Sequence, residues 1–139
     1  MGQILAVDFG EKRCGLAATD DMQIIASGVA GIFTKDLISF LEKYFKENSV
    51  ETLVIGLPTR LNGELSDVET VIQTYIKKIS ERFPNLPIDR MDERFTSKMA
   101  SQAISQSGKS KKQRENKHLL DEVSAVLILQ SYLEKKQKL

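Results

Sequence analysis

Twice in this chain an amphipathic helical pattern separates two short apolar runs. Leu37, Ile38, Leu41, Tyr44 and Phe45 recur at helical spacing before the run from Glu51 to Leu57. Val68, Val71, Ile72, Tyr75, Ile76 and Ile79 do the same before the run from Pro87 to Glu93. A strand reached through a helical crossover lies parallel to a neighbour in its sheet. The order therefore commits the chain to an α/β sheet with helices packed on its faces.

Ahead of these units, Ile4 to Phe9, Cys14 to Thr19 and Ile24 to Phe33 alternate with the turns Glu11-Lys12-Arg13 and Asp20-Asp21, the pattern of an antiparallel meander. Thr34 is placed to cap the first helix, which runs to about Asn48. Ser66-Asp67-Val68-Glu69 reads as a capping box for the second, which stops before Pro84. Thr96 or Ser97 would cap a third helix to about Ser107, closed by Gly108. Leu119 to Leu133 forms a last helix, apolar almost all round and so expected to be buried. The expected fold is α/β, one mixed five-stranded sheet with helices on both faces. With 139 residues it forms one domain, residues 1–139.

Three acids sit within or beside apolar stretches, where a carboxylate is costly unless it has work to do: Asp8, Glu93 and Asp121. Asp8 and Glu93 fall at the C-terminal ends of the first and fifth strands. Parallel strands would bring both to one sheet edge, where α/β sites form. Asp121 opens the last helix and shares a face with Ser124, Ala125 and Ile128, small enough in part to let that helix approach the sheet. Carboxylates gathered in this way hold a divalent ion, Mg²⁺ or Mn²⁺, and two such ions suit phosphodiester hydrolysis. Each acid also has a structural reading: Asp8 as a turn residue, Glu93 paired with Arg94 or Arg90, Asp121 at a helix dipole. Asp92 competes with Glu93, since strand alternation turns only one of them toward the site.

The formal net charge is only +1, but its distribution is uneven. Lys109, Lys111, Lys112, Arg114 and Lys117 crowd one loop against Glu115 alone, and Lys135, Lys136 and Lys138 follow near the end. Such clusters suit a phosphate backbone; a solvated loop is the plainer reading. His118, the one histidine, is read as a phosphate contact or bystander of that loop. The single cysteine, Cys14, excludes an intrachain disulfide, fits a reducing compartment and reads as a small buried hydrophobe. No apolar run nears the ~20 residues that span a bilayer, and Met1-Gly2-Gln3-Ile4 lacks the order of a signal peptide. A cytoplasmic protein without membrane contact is expected.

The segment Asp8-Phe9-Gly10-Glu11-Lys12-Arg13-Cys14-Gly15-Leu16-Ala17 resembles the opening motif of the YqgF family, the RuvX-like Holliday junction resolvases. Gly56-Leu57-Pro58 with Asn62-Gly63 is similar to its second motif, Asp92-Glu93-Arg94-Phe95-Thr96-Ser97 to its third, and Asp121 through Gln130 to its fourth. The motifs span essentially the whole chain in family order. Ser124 stands where the family usually carries Ala, and Glu115 and Asn116 interrupt the family's basic run. The resemblance implies a ribonuclease H-like fold and a metal-dependent nuclease with its acids at Asp8, Glu93 and Asp121. It implies processing of the 5′ end of pre-16S ribosomal RNA, with four-way DNA junctions as the older label. Lys12, Arg13, Arg94, Thr96 and the basic loop would then meet nucleic acid. A non-catalytic RNA-binding or ribosome-assembly module is the third reading, with ribosomal particles as partners. A monomer or weak homodimer is expected.

Overall fold

The structure, a computed structural model, describes residues 2–58, 67–92 and 117–137. Strands β1 (Gln3–Phe9), β2 (Arg13–Thr19) and β3 (Ala26–Phe33) lead into helix α1 (Leu37–Glu47), then β4 (Val50–Leu57), α2 (Glu69–Arg82), β5 (Ile88–Asp92) and α3 (Lys117–Gln137). The sheet order is β3-β2-β1-β4-β5. β2 runs antiparallel to β1 and β3, while β1, β4 and β5 are mutually parallel. This is the mixed five-stranded sheet expected from the order of apolar runs, and it agrees with the ribonuclease H-like fold that the resemblance implies. The expected third helix and the basic loop lie outside the described residues.

β1 is buried on both faces, and its alternation divides the core. Leu5, Val7 and Phe9 join Leu53, Ile55, Leu37, Leu41, Ile72 and Ile79 beneath α1 and α2. Ile4 and Ala6 join Ala17, Val54, Ala125, Ile128, Leu129, Tyr132 and Leu133 beneath α3. Each sheet face thus sheds its apolar area into its own helix layer, at roughly 25 cal/mol per Å² removed from water. α3 is longer than its apolar pattern suggested. Its burial is also one-sided: Leu119, Leu120, Val123 and Leu127 keep part of their surface while Ser124, Ala125, Ile128 and Leu129 are covered.

Element starts differ from the sequence reading for local reasons. Asp20 Oδ1 accepts the N–H groups of Ile24 and Ile25, which keeps both out of the ladder, so β3 begins at Ala26. Thr34 does not cap α1. Its hydroxyl donates to Gly10 O at 2.7 Å and its N–H to Lys12 O, closing the β1–β2 turn, and a 3-10 turn at Thr34–Asp36 precedes the helix. Ser66 of the expected capping box lies outside the described residues, and Glu69 takes another partner. α2 has Val68 as its N-cap with no side-chain cap bond, and the Glu69 carboxylate binds Arg90 of β5 through both oxygens at 2.7 and 2.9 Å. Arg90 further donates to Ile55 O and Gly56 O, tying the ends of β4, β5 and α2 together.

A bulge sets the fit of α3 onto the sheet. Between Leu16 and Ala17 the β2–β3 register slips, so Gly31 opposes Gly15 and Gly28 opposes Ala17. The extra residue, Val29, lets Gly28 and Gly31 face α3 together although they are three positions apart. A Cβ on Gly31 would overlap the backbone of His118, and one on Gly15 would overlap the carbonyl of Asp121. Gly31→Ala is expected to lower stability by about 1–3 kcal/mol as α3 is pushed off the sheet; a urea midpoint unchanged from wild type would contradict the close packing. The Arg90 hydrogen bonds, opposed by desolvation, hold the Glu69 carboxyl below its ordinary value of 4.5. A depressed folded value means this contribution is complete above pH 4.5 and lost as pH falls through the folded value. Glu69→Gln should therefore flatten the acid limb of the stability curve, measured by denaturation from pH 3 to 6.

Candidate active site

The C-terminal ends of β1, β4 and β5 share one sheet edge, because the three strands are parallel. Asp8 is the last residue of β1 with the parity of Ile4 and Ala6, so it belongs to the α3 face. Its cross-strand partner is Gly15. The backbone carbonyl of Asp121 lies directly over Gly15, in the space a side chain would have filled. Asp8 and Asp121, 113 positions apart in sequence numbering (121 − 8), are thereby brought to one corner. The missing Cβ at Gly15 supplies the room. This is the meeting expected of the two acids, though the sheet glycines contribute to it as much as the small residues of α3.

Arg13 completes the corner. It begins β2 on the same face as Gly15, and its Nε donates to Asp121 Oδ2 at 2.9 Å. The two side chains keep 25% and 21% of their surface, so the pair is open to solvent and contributes little to stability. Arg13 was expected to meet phosphate; here its partner is a site carboxylate. Glu93, Arg94, Thr96, Lys109, Lys111, Lys112 and Arg114 lie outside the described residues. Among the described residues no three His, Cys, Asp or Glu side chains cluster closely enough to hold a metal ion.

β5 ends at Asp92, and its residues alternate between the two faces of the sheet. Ile88 and Arg90 point to the α1/α2 side, into the first core cluster and onto Glu69. Asp89 and Met91 belong to the α3 side, where Tyr132 donates to Asp89 Oδ2 at 2.8 Å and Met91 packs on the second cluster. Asp92 therefore has the parity of the face opposite Asp8 and Asp121. His118 belongs to the first turn of α3 rather than to a loop; its backbone rests on Gly31 and its ring stands edge-on to Phe33 at 5.2 Å.

On the other side of the β1–β2 turn, exposed Lys12 and Lys35 line a concavity of about 380 Å³ with Glu11, Phe33 and Tyr75. Lys35 escaped the sequence reading because it lies in the 3-10 turn after β3 and reaches Lys12 only through the Thr34–Lys12 backbone bond. Lys117 is exposed at the start of α3.

Cys14 backs the corner from the opposite face. Thr34 spends its hydroxyl proton on Gly10 O, so the Cys14 thiol, 3.3 Å away, is the donor in that pair. Burial pushes the thiol up to about 11, and the nearby charges of Asp8 and Asp121 add to the rise. The thiolate is the reactive form. The native protein should therefore resist a thiol reagent at pH 8 and react once unfolded; rapid labelling of the native protein would contradict the buried setting.

The family model of RuvX, described as Holliday junction resolvase, matches residues 2–135. A relative from Flavobacterium psychrophilum is 50% identical over 136 residues, covering 98% of this chain and 99% of its own. One from Porphyromonas gingivalis is 48% identical over 134 residues, 96% and 97% of the two chains. One from Bacteroides fragilis is 44% identical over 137 residues, 99% of each. All three bear the name "Putative pre-16S rRNA nuclease". The solved structure of YeaZ from Pseudomonas aeruginosa overlaps 78% of this chain and 50% of that chain at 16% identity and a TM-score of 0.45, too slight a likeness to bear on the fold. Matched from residue 2 to residue 135 and close to half identical to these relatives over nearly its full length, the chain belongs to the RuvX family of nucleases.

Proposed function

We propose that this protein is a metal-dependent endonuclease that cuts structured nucleic acid in the cytoplasm, and that its substrate is the 5′ end of the 16S ribosomal RNA precursor. The observation that carries the chemistry is the convergence of Asp8 and Asp121 over Gly15 at the C-terminal edge of the parallel strands. The substrate is taken from the name borne by the relatives. No helix among the described residues is long and apolar enough to cross a membrane, which is compatible with a cytoplasmic site of action.

The donor set fits a hard divalent cation, Mg²⁺ or Mn²⁺, because its donors are carboxylate oxygens. Asp8 and Asp121 would hold it, with Glu93 as the third acid. The parity of β5 favours Glu93 over Asp92, since Asp92 belongs with Arg90 on the α2 side. A divalent ion so held supplies positive charge to the phosphoryl oxygens and to the leaving 3′ oxygen.

The protein groups then have separate tasks. The two described carboxylates are held rigid, Asp8 by the β1–β2 ladder and Asp121 by the α3 backbone seated on the sheet. Lys12, Lys35 and Lys117 are exposed cations around the edge, placed to meet phosphates and fix the strand's register without reading its bases. Arg94, Thr96 and the basic residues Lys109, Lys111, Lys112 and Arg114 extend this role. The family's description favours a second substrate, the four-way DNA junction, cut by the same carboxylates.

The test is incubation with a 5′-extended 16S precursor and, separately, with a four-way junction, under Mg²⁺, Mn²⁺ or chelator. Wild type should cut the precursor only with metal. Asp8→Asn and Asp121→Asn should each lower the rate by about a hundredfold or more, about 2.7 kcal/mol of barrier. Equal cleavage by all three proteins would overturn the carboxylate site, and cleavage of the junction alone would replace the substrate.

A further inference from the structure

We propose that Arg13 is an exchangeable cation of the acidic corner: it occupies Asp121 while the site is empty of nucleic acid and leaves for a backbone phosphate when the strand binds, so that metal and nucleic acid bind cooperatively. The proposal rests on the reading of Asp8 and Asp121 as metal-holding residues.

The geometry shows which partner moves. The backbone of Asp121 is fixed, because its carbonyl is seated on Gly15 with no room for even a Cβ between them, which leaves its carboxylate a short tether at the corner. Arg13, by contrast, stands at the first position of β2, directly after the exposed residues Glu11 and Lys12. It touches Asp121 through Nε alone, at 2.9 Å, and keeps 25% of its side-chain surface. One solvent-exposed bond of this kind holds its partners by no more than about fivefold. A phosphate offers a guanidinium two parallel bonds in its preferred fork geometry, a stronger arrangement than the single Nε contact. Lys12 beside it adds charge that draws a phosphate to the same turn.

The consequence is a linkage. Metal and Arg13 compete for Asp121 in the free protein, and nucleic acid removes the competitor. Each ligand must then raise the other's affinity by the same factor. If Arg13 stayed in place and merely repelled metal, removing it would help metal binding equally with or without nucleic acid.

The experiment measures Mn²⁺ affinity by electron paramagnetic resonance for wild type, Arg13→Gln, Arg13→Lys and Asp8→Asn. Each is measured alone and saturated with a phosphorothioate RNA hairpin that resists hydrolysis. Melting temperature is recorded for every variant. Arg13→Gln should bind Mn²⁺ up to about fivefold more tightly than wild type without RNA, and the two should converge once RNA is bound. Arg13→Lys, which keeps the charge but not the Nε bond, should converge in the same way, so the result stands if Arg13→Gln does not fold. An advantage of Arg13→Gln that persists with RNA bound, or no advantage without it, overturns the exchange. Binding by Asp8→Asn equal to wild type would instead overturn the metal reading beneath it.

Discussion

The seating of α3 on the glycines of β2 and β3 is the constraint on which the acidic corner depends. Helix and sheet usually keep the distance that side chains impose. Here Gly15 and Gly31 remove that spacing at the helix N-terminus, and the carbonyls of Asp121 and His118 take the vacated room. Farther along, Ala125, Ile128 and Leu129 restore ordinary apolar packing against Ile4, Ala6 and Val54. The helix is therefore anchored by its core residues and drawn in at its acidic end. A carboxylate is costly near an apolar layer. Its position here is imposed by the backbone rather than by its own interactions, since its ion pair with Arg13 is partly open to water.

The two faces of the sheet divide the labour. On the α1/α2 side, Arg90 gathers Glu69, Ile55 O and Gly56 O, and Cys14 and Thr34 close the first turn. These polar groups are satisfied among themselves and leave the strand ends rigid, the condition for any site that must hold carboxylates in register. On the α3 side the same strand ends present Asp8 beside Asp121. The strict alternation of β1 and β5 keeps the structural ion pair and the site apart although they are only a few residues distant along the chain.

Much of this was legible along the chain. The helical patterns before Glu51 and Pro87 implied parallel crossovers, and the crossovers implied a shared edge for Asp8 and the end of β5. The errors were local and had one cause: a short polar side chain can serve several partners. Thr34 and Glu69 have the types and spacing of caps, yet Thr34 bonds Gly10 O and Glu69 bonds Arg90. Ile24 and Ile25 continue an apolar run, yet Asp20 takes their N–H groups. Lys35 and the Arg13–Asp121 pair could not be read at all, because each joins residues whose proximity is created only by folding.

By itself, the sequence determined the order of strands and helices, the parallel run of β1, β4 and β5, and the placing of Asp8 near the end of β1. Periodicity and crossover handedness are properties of the chain as written. Only the tertiary structure decided that a bulge at Val29 turns Gly28 and Gly31 to one face, that α3 settles onto Gly15, and that Arg13 sits on Asp121. The reason is geometric. A register slip between strands and the depth of a helix on a sheet are set by which side chains are absent from the interface, and an absent side chain has no period to read.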